Sequence, residues 1–471
     1  MAKKSRKPIT RASELLSTFR QTVIPVTVLG ATPFGCLGLG NWAPTVEHIS
    51  SLDCVSGLQR GVFSPETERQ AIFHSPVETC NALLRHGEVR THLKNRGPGL
   101  LWPSDADDET RQLAKELGQT ILLANGELRQ KMALPTGMRA LLEKSGVNAV
   151  PGLGITVTEE TDIFDIAQKS KFGTSLVVQH TDNNGVRRTE FAAKPSDWQQ
   201  FSEQFTGKPV WLSRFVLHTT YMVESVAVAG NVVSGPVLLV DKLSDGKSAV
   251  ASTVATDDVR NVLQSAAKKI GASLMASGFV GVFSCTFYVE GVTGKVFLKE
   301  LTPGQTPFSQ LTHHITACYG GLPLHLLHLA AFMDESWDFD FAAVQKRWMD
   351  YDEWTQLLFT HQFANTEFIT KSPASSIYAM NESQGAELLM PSIDPMDLRR
   401  DTEALFLRTL GTGTYRQGDL ETGLIMARGN LLASKMADPW VHVMKQMFNT
   451  IQMSGSSLAD RALPGGRVSL F

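Results

Sequence analysis

Hydrophobic positions along the chain change their period several times, and each change marks an element. Val23 to Leu29 is a β-branched run that breaks into a glycine-rich turn at Gly30, Gly35, Gly38 and Gly40, the pattern of a buried strand entering a loop. Between Asp105 and Asn125, DADDETRQLAKELG carries apolar residues at helical spacing and QTILLAN reads as a short buried strand. A βαβ style is therefore predicted for the N-terminal lobe. From Glu127 to Gly152 the pattern predicts a helix with Leu141 and Leu142 inward, stopped by Gly146 and followed by the turn Val150, Pro151, Gly152.

The next stretch, from Ile155 to Pro209, predicts a helix around Asp162 to Lys169, a strand SLVVQ, a turn DNNG, a strand TEFAA and a helix from about Ser196. A larger lobe follows, with strands at Val210 to Phe215, Met222 to Ala229 and Val232 to Val240 and a long helix from Asp257 to Ala276. Two more strands, GVFSCTFYVE and KVFLKEL, are joined by a hairpin turn at Gly291 to Gly294. After Gly321 the text turns helical and runs into a mixed C-terminal region. The predicted division is an N-terminal lobe over 1–130 with a flexible tail over 1–20, a lid over 131–209, a central lobe over 210–335 and a C-terminal lobe over 336–471, flexible after about 454.

Composition narrows the function classes. Hydrophobic residues make up 42% and charged residues 19%, enough for packed cores with a solvated surface. The 44 basic and 47 acidic residues leave a formal net charge of -3, so no global field would recruit nucleic acid or an anionic membrane. The basic run AKKSRK at the N-terminus reads as a solvated tail, and no segment has the roughly 18 uninterrupted apolar residues of a membrane span. The five cysteines (Cys36, Cys54, Cys80, Cys285, Cys318) show no CxxC spacing, which fits free thiols in the cytoplasm better than disulfides or zinc.

Three features in order carry a resemblance. ALLEKSGVNAVPG resembles the helix and turn that lead into the lid of the biotin-carboxylase-like branch of the ATP-grasp family. LVVQHTDNNGVRRTEF is similar to that family's nucleotide-covering hairpin, and GVFSCTFYVEGVTGKVFLKELTP to its paired metal-holding strands. With RWMDYDEWTQLLF and RTLGTGTYRQGDLETGLIMARG, the likeness covers most of residues 125 to 430. It implies an α/β and α+β fold: a βαβ N-terminal (pre-ATP-grasp) lobe, a small lid, a larger central lobe and a C-terminal extension. It also implies ATP and Mg²⁺, small-molecule acid and amine substrates and a possible homodimer, as for many relatives; the balanced charge and the lack of a membrane span argue for no nucleic-acid or membrane partner.

The resemblance assigns roles residue by residue. Glu300 stands at the position of the principal metal-ligating carboxylate, on a strand whose period of two would put Val296 and Leu298 on its own face. Thr302 and Gly304 stand where the family has Asn and Arg, and the second metal carboxylate falls at Thr286, or at Ser284 if the register slips by two. The first phosphate lysine falls at Pro135, with Lys131 one turn away, and the second at Gln179. Arg187 and Arg188, in the lid hairpin, are the substitutes best suited to oxyanions, since guanidinium donates bidentately. Trp211, Leu212, Ser213 and Arg214 occupy the adenine hinge, and Glu224 and Leu298 match further nucleotide positions. Lys242 reads either as an acid-substrate contact or as a solvated side chain, and His313 and His314 read as a core and a surface histidine rather than metal ligands.

The implied reaction is ATP-dependent joining of a small acid or amino acid to an amine through an acyl phosphate. The substituted positions also motivate an alternative, a scaffold that binds without catalysing. Biotin carboxylation is the weaker third reading, because the chain contains no AMKM-like biotin-acceptor motif.

Overall fold

The computed structural model describes residues 8–452, apart from 20–24, 33, 35–38, 40–44, 52–53, 56, 59–60, 67–74, 134, 182–186, 334–336, 382–384 and 414. Gly35, Gly38, Gly40, the basic run and the C-terminal tail lie outside the described residues.

The N-terminal lobe opens with α1 (Ala12–Phe19) and is built on a five-stranded parallel sheet. Its strands are β1 (Val26–Gly30), β2 (Val46–Ser50), β3 (Val62–Phe63), β4 (Gly99–Pro103) and β5 (Gln119–Ile121), in the order β3-β2-β1-β4-β5. The crossovers run through α2 (Pro76–Arg85), α3 (Gly87–Arg96) and α4 (Asp108–Glu116). Parallel strands need such crossovers, which is why β1 is buried along its whole length. The Asp107 carboxylate accepts from the Thr110 amide at 2.8 Å and the Thr110 hydroxyl accepts from the Asp107 amide at 3.2 Å, a capping box that fixes where α4 starts. The single helix expected after Glu127 is two, α5 (Gly126–Ala133) and α6 (Pro135–Leu142), because proline is tolerated at a helix start and not inside one.

The lid is a four-stranded antiparallel sheet: β6 (Gly152–Thr156), β7 (Leu176–Thr181), β8 (Arg187–Ala192) and β9 (Pro209–Arg214), ordered β6-β9-β7-β8. It packs with α7 (Ile163–Lys169) and α8 (Pro195–Phe201) around Leu176, Trp198, Phe205 and Leu212. The expected boundary at Pro209 shifts, because β9 pairs with β6 and β7 and so belongs to the lid.

The remainder forms one antiparallel sheet of eleven strands. Its central part comprises β10 (His218–Val228), β11 (Asn231–Lys242), β12 (Ala249–Ser252), β13 (Gly281–Glu290) and β14 (Val296–Pro303), with α9 (Asp257–Ala276) between β12 and β13. The helices α10 (Ser309–Cys318), α11 (Leu324–Ala331) and α12 (Phe341–Arg347) follow, then β15 (Trp354–Lys371), β16 (Ser376–Met380), β17 (Ala386–Met390), β18 (Glu403–Arg408) and β19 (Tyr415–Arg428). Last come α13 (Ala437–Gln446) and β20 (Asn449–Gln452), which pairs with β15. The C-terminal region is not a separate layer: β12 pairs with β15, so its strands continue the central sheet in the order β14-β13-β10-β11-β12-β15-β19-β18-β16-β17. Among the described residues no helix is long and apolar enough to cross a membrane.

Helix α9 lies on one face of β10, β11 and β13 through Leu263, Ala267, Ile270 and Leu274, the spacing of one helical stripe. Gly271 lets it approach closely, since a Cβ there would come within 2.7 Å of Val232 and 2.8 Å of Phe283.

The N-terminal lobe meets the sheet through His328 of α11. Its Nδ1 accepts the Val282 N–H at 3.0 Å, its Nε2 donates to the Leu122 carbonyl at 3.0 Å, and its ring stacks on Trp102 with centroids 3.8 Å apart. One donor and one acceptor fix a neutral tautomer. His325 meets the same indole edge-on and stacks on His313 at 4.9 Å. Both His313 and His314 are buried, which corrects the expectation of a surface histidine: every residue of α10 from Ser309 to Ala317 is covered. Burial, with smaller effects from neighbouring imidazoles, holds His313 down at about 4 and His314 at about 3; burial holds His328 at about 3, and His325 also lies well below its ordinary value.

Two expectations follow from this packing. These histidines bind protons more readily unfolded, near about 6.5, than folded. Their contribution to stability is intact above about pH 6.5 and is lost as pH falls towards 4, at up to about 1.4 kcal/mol per pH unit for each. Thermal melts between about pH 7.5 and about pH 5 should show Tm falling, and His328→Gln should flatten that slope; equal slopes for the two proteins would contradict the assignment. Gly271→Ala should lower Tm, because overpacking at about 1–3 kcal/mol outweighs the helix preference of alanine at about 1 kcal/mol. Gly87→Ala, with no atom within 4 Å of the added Cβ, should not.

Candidate nucleotide site

Between the lid and the sheet lies a cavity of about 390 Å³. Gln179, Thr189, Glu190 and Phe191 come from the lid hairpin and Trp211, Ser213 and Arg214 from β9. Phe215, Val216 and His218 form the hinge to β10, while Lys242, Tyr288, Leu298, Lys299, Glu300 and Leu301 form the floor. Met132, Met138 and Arg139 close the back. Segment Asn148 to Val150 seals the free edge of β14, with the Leu298 amide donating to the Asn148 carbonyl at 2.7 Å.

Each wall has a local cause. Trp211 lies flat against β6 because Gly152 and Gly154 carry no side chains: a Cβ at Gly152 would come within 2.8 Å of the indole Nε1. Over the same indole, at 4.9 Å, sits the Arg139 guanidinium, which donates to the Val150 carbonyl at 2.6 Å; burial lowers its affinity for its proton. Arg214 is paired with Glu290 at 3.0 Å and lies 5.6 Å from the Phe297 ring. The Gln179 amide donates to Thr189 Oγ1 at 3.3 Å, tying the two strands of the hairpin.

The floor departs from simple alternation. Thr286 stands opposite Glu300 and Phe287 opposite Leu298, so Lys299 is an extra residue, a β-bulge. Leu298 and Leu301, three positions apart, therefore both enter the core under α9, while Lys299 and Glu300 between them are partly exposed and line the cavity. Glu300 consequently does not share the face of Leu298, as strict period-two reading expected. Tyr288 lies beside this pair; burial, and then the Glu300 charge, pushes its hydroxyl up to about 12.

Of the residues singled out from the sequence, Gln179, Trp211, Ser213, Arg214, Leu298 and Glu300 line the cavity, and so does Lys242. Leu212 is buried in the lid core with its side chain turned away. Glu224 is fully buried beside a bulge in β10, where Ser309 Oγ donates to it and burial pushes its carboxyl up to about 7. Thr286 lies across from Glu300 and Thr302 across from Ser284, which sets the register without a slip. The side chains of Arg187, Arg188 and Pro135 lie outside the described residues. Gly304 has φ +107, a backbone suited to glycine, and Arg129 approaches the space its Cβ would fill, at 3.9 Å, while paired with Asp105. Arg139, Lys299, Tyr288, His218 and Arg129 were missed. Only Arg139, one helical turn from Pro135 on the same face, carried a signal that could have found it.

The cavity's size and its cations, Arg139, Lys242 and Lys299, fit a nucleotide with charged phosphates. For magnesium the floor of the cavity offers one carboxylate, Glu300, with Thr286 facing it, and the lid brings Glu190 to the same space. That is the sparse donor set of an ion arriving on phosphates. It is not a self-standing metal site, and among the described residues no group of three or more His, Cys, Asp or Glu could hold a metal.

No family model matches the sequence, and no curated relative matches it. Solved structures do. The chain is similar to the N5-carboxyaminoimidazole synthase of Aspergillus clavatus in complex with ADP and 5-aminoimidazole ribonucleotide, at 13% identity and TM-score 0.55 over 90% of this chain and 99% of that one. It is similar to the biotin carboxylase domain dimer of Hydrogenobacter thermophilus 2-oxoglutarate carboxylase with MgADP and bicarbonate, at 12% and 0.56 over 92% and 91%. A third is the L-amino acid ligase of Bacillus licheniformis, at 12% and 0.56 over 92% and 99%. At these identities the likeness speaks to architecture. The parallel N-terminal sheet, the small antiparallel lid and the cavity between that lid and a large antiparallel sheet give this chain the ATP-grasp fold.

Proposed function

We propose that the protein is an ATP-dependent carboxylate–amine ligase acting on a small acid or amino acid and an amine. The observation that carries this reading is the cavity between lid and floor, where a carboxylate, Glu300, stands among cations at the place where the fold's lobes meet.

In this reading the Trp211 to Phe215 segment receives the base, and Gln179, with Arg187 and Arg188, lines the phosphates. A carboxylate oxygen of the acid attacks the terminal phosphorus, ADP leaves, and the amine displaces phosphate from the resulting acyl phosphate: a C–N bond forms, the C–O bond to phosphate breaks, and the amine proton passes to water. Glu300, with Thr286 and Thr302, would hold magnesium, which neutralises charge on the phosphates when bound. Lid closure excludes water from the acyl phosphate. A homodimer belongs to the same reading, supported by the dimeric biotin carboxylase neighbour.

A second reading, a binding or regulatory subunit without turnover, is favoured by one observation: Gln179 and Gly304 supply no charge where the resemblance expects Lys and Arg.

ADP release measured across a panel of acids and amines separates the two. The first reading expects release with at least one pair, reduced about 100-fold or more by Glu300→Ala with little change in Tm, since this side chain is partly exposed. Undiminished turnover in that variant would sink the role of Glu300. MgATP binding with no release for any pair would leave the second reading.

A further inference from the structure

Four cations line the cavity on described side chains besides His218: Arg139, Arg214, Lys242 and Lys299. The two arginines are committed. Arg139 is spent on the Val150 carbonyl and the Trp211 ring, and Arg214 on Glu290. A guanidinium already paired has less charge to offer an anion than one that is not.

Lys299 is held differently. Leu298 and Leu301 on either side both enter the core, and the bulge between them leaves Lys299 and Glu300 side by side at the cavity. Its ammonium lies 5.4 Å from the centre of the Tyr288 ring, and the imidazole of His218 stacks on the same ring. His218 is in turn tied to the Val216 carbonyl. The electron-rich face of the Tyr288 ring attracts the ammonium. Among the described residues Lys299 enters no ion pair. It is thus positioned by an aromatic face and, among the described residues, pairs with no carboxylate, an arrangement suited to an anionic ligand.

We propose that Lys299 is the residue that anchors the terminal phosphates of a nucleoside di- or triphosphate in this cavity, and that it sets the preference for these over monophosphates. The proposal rests on the reading of the cavity as an ATP site. Lys242, on the exposed end of β11, faces the same space but, among the described residues, has no aromatic ring against its ammonium. It contributes less, because its side chain must be ordered on binding.

Isothermal titration calorimetry with ATP, ADP, AMP and adenosine, on the unmodified protein and on Lys299→Met, Lys299→Arg and Lys242→Met, tests this. Lys299→Met is expected to weaken ATP and ADP about tenfold or more while AMP and adenosine stay within about twofold, the size of one charge-assisted hydrogen bond. Lys299→Arg should restore most of the loss, and Lys242→Met should lose less. Equal weakening of adenosine and ATP would mean that Lys299 only shapes the wall, and would overturn the proposal. Unchanged ATP affinity with a raised KM for the acid substrate would overturn it in favour of a carboxylate contact. If the unmodified protein bound no nucleotide, the functional reading itself would fall, and the proposal with it.

Discussion

The geometry of the cavity floor depends on a histidine that must remain uncharged. His328 accepts from Val282, near the start of β13, and donates to Leu122, just beyond β5, so one ring joins the N-terminal sheet to the large antiparallel sheet. The fit is tight from below as well: Gly281 has φ +97, and a Cβ there would come within 2.7 Å of the ring. Strand β13 leaves this joint and carries Thr286 and Tyr288, and β14 takes its register from it. Where Glu300 and Lys299 stand relative to the N-terminal lobe is therefore decided some distance away, at a buried ring with two hydrogen bonds. Moving that ring would move the floor.

Much of this architecture was legible in the sequence. The helix from Asp257 to Ala276 and the hairpin GVFSCTFYVE…KVFLKEL follow directly from period and turn chemistry. The lid boundary was not, because β9 reads as one more apolar strand and only its pairing with β6 and β7 assigns it. Nor was the continuation of the sheet into β15, since which strands pair over a long separation leaves no local mark.

The candidate site was legible to a lesser degree. Positions matched by resemblance, such as Gln179, Trp211 and Glu300, do converge on the cavity. Leu212 is a sequence neighbour of cavity residues but points into the lid core, which strand alternation explains once register is known, whereas Glu224 is buried at the bulge in β10, away from the cavity. Lys299 was invisible because a bulge is an exception to period two: Leu298 and Leu301 look out of step in the text and are in step in space. Arg129 was missed for a different reason, as its approach to Gly304 joins α5 to the end of β14 across a distance that no local pattern encodes.

Strands β13 and β14 divide their residues between two faces, with Leu298 and Leu301 reaching both the core and the cavity wall. Phe283, Cys285, Phe287, Leu298 and Leu301 pack under α9, whereas Thr286, Tyr288, Lys299 and Glu300 lie on the open side. The first set is answerable to packing density and the second to whatever occupies the cavity. Apart from Leu298 and Leu301, which serve both, the donors and cations of the cavity can be exchanged one at a time without disturbing the core. A scaffold organised this way separates heredity of shape from heredity of chemistry, which is how an architecture can persist among chains sharing only about an eighth of their residues.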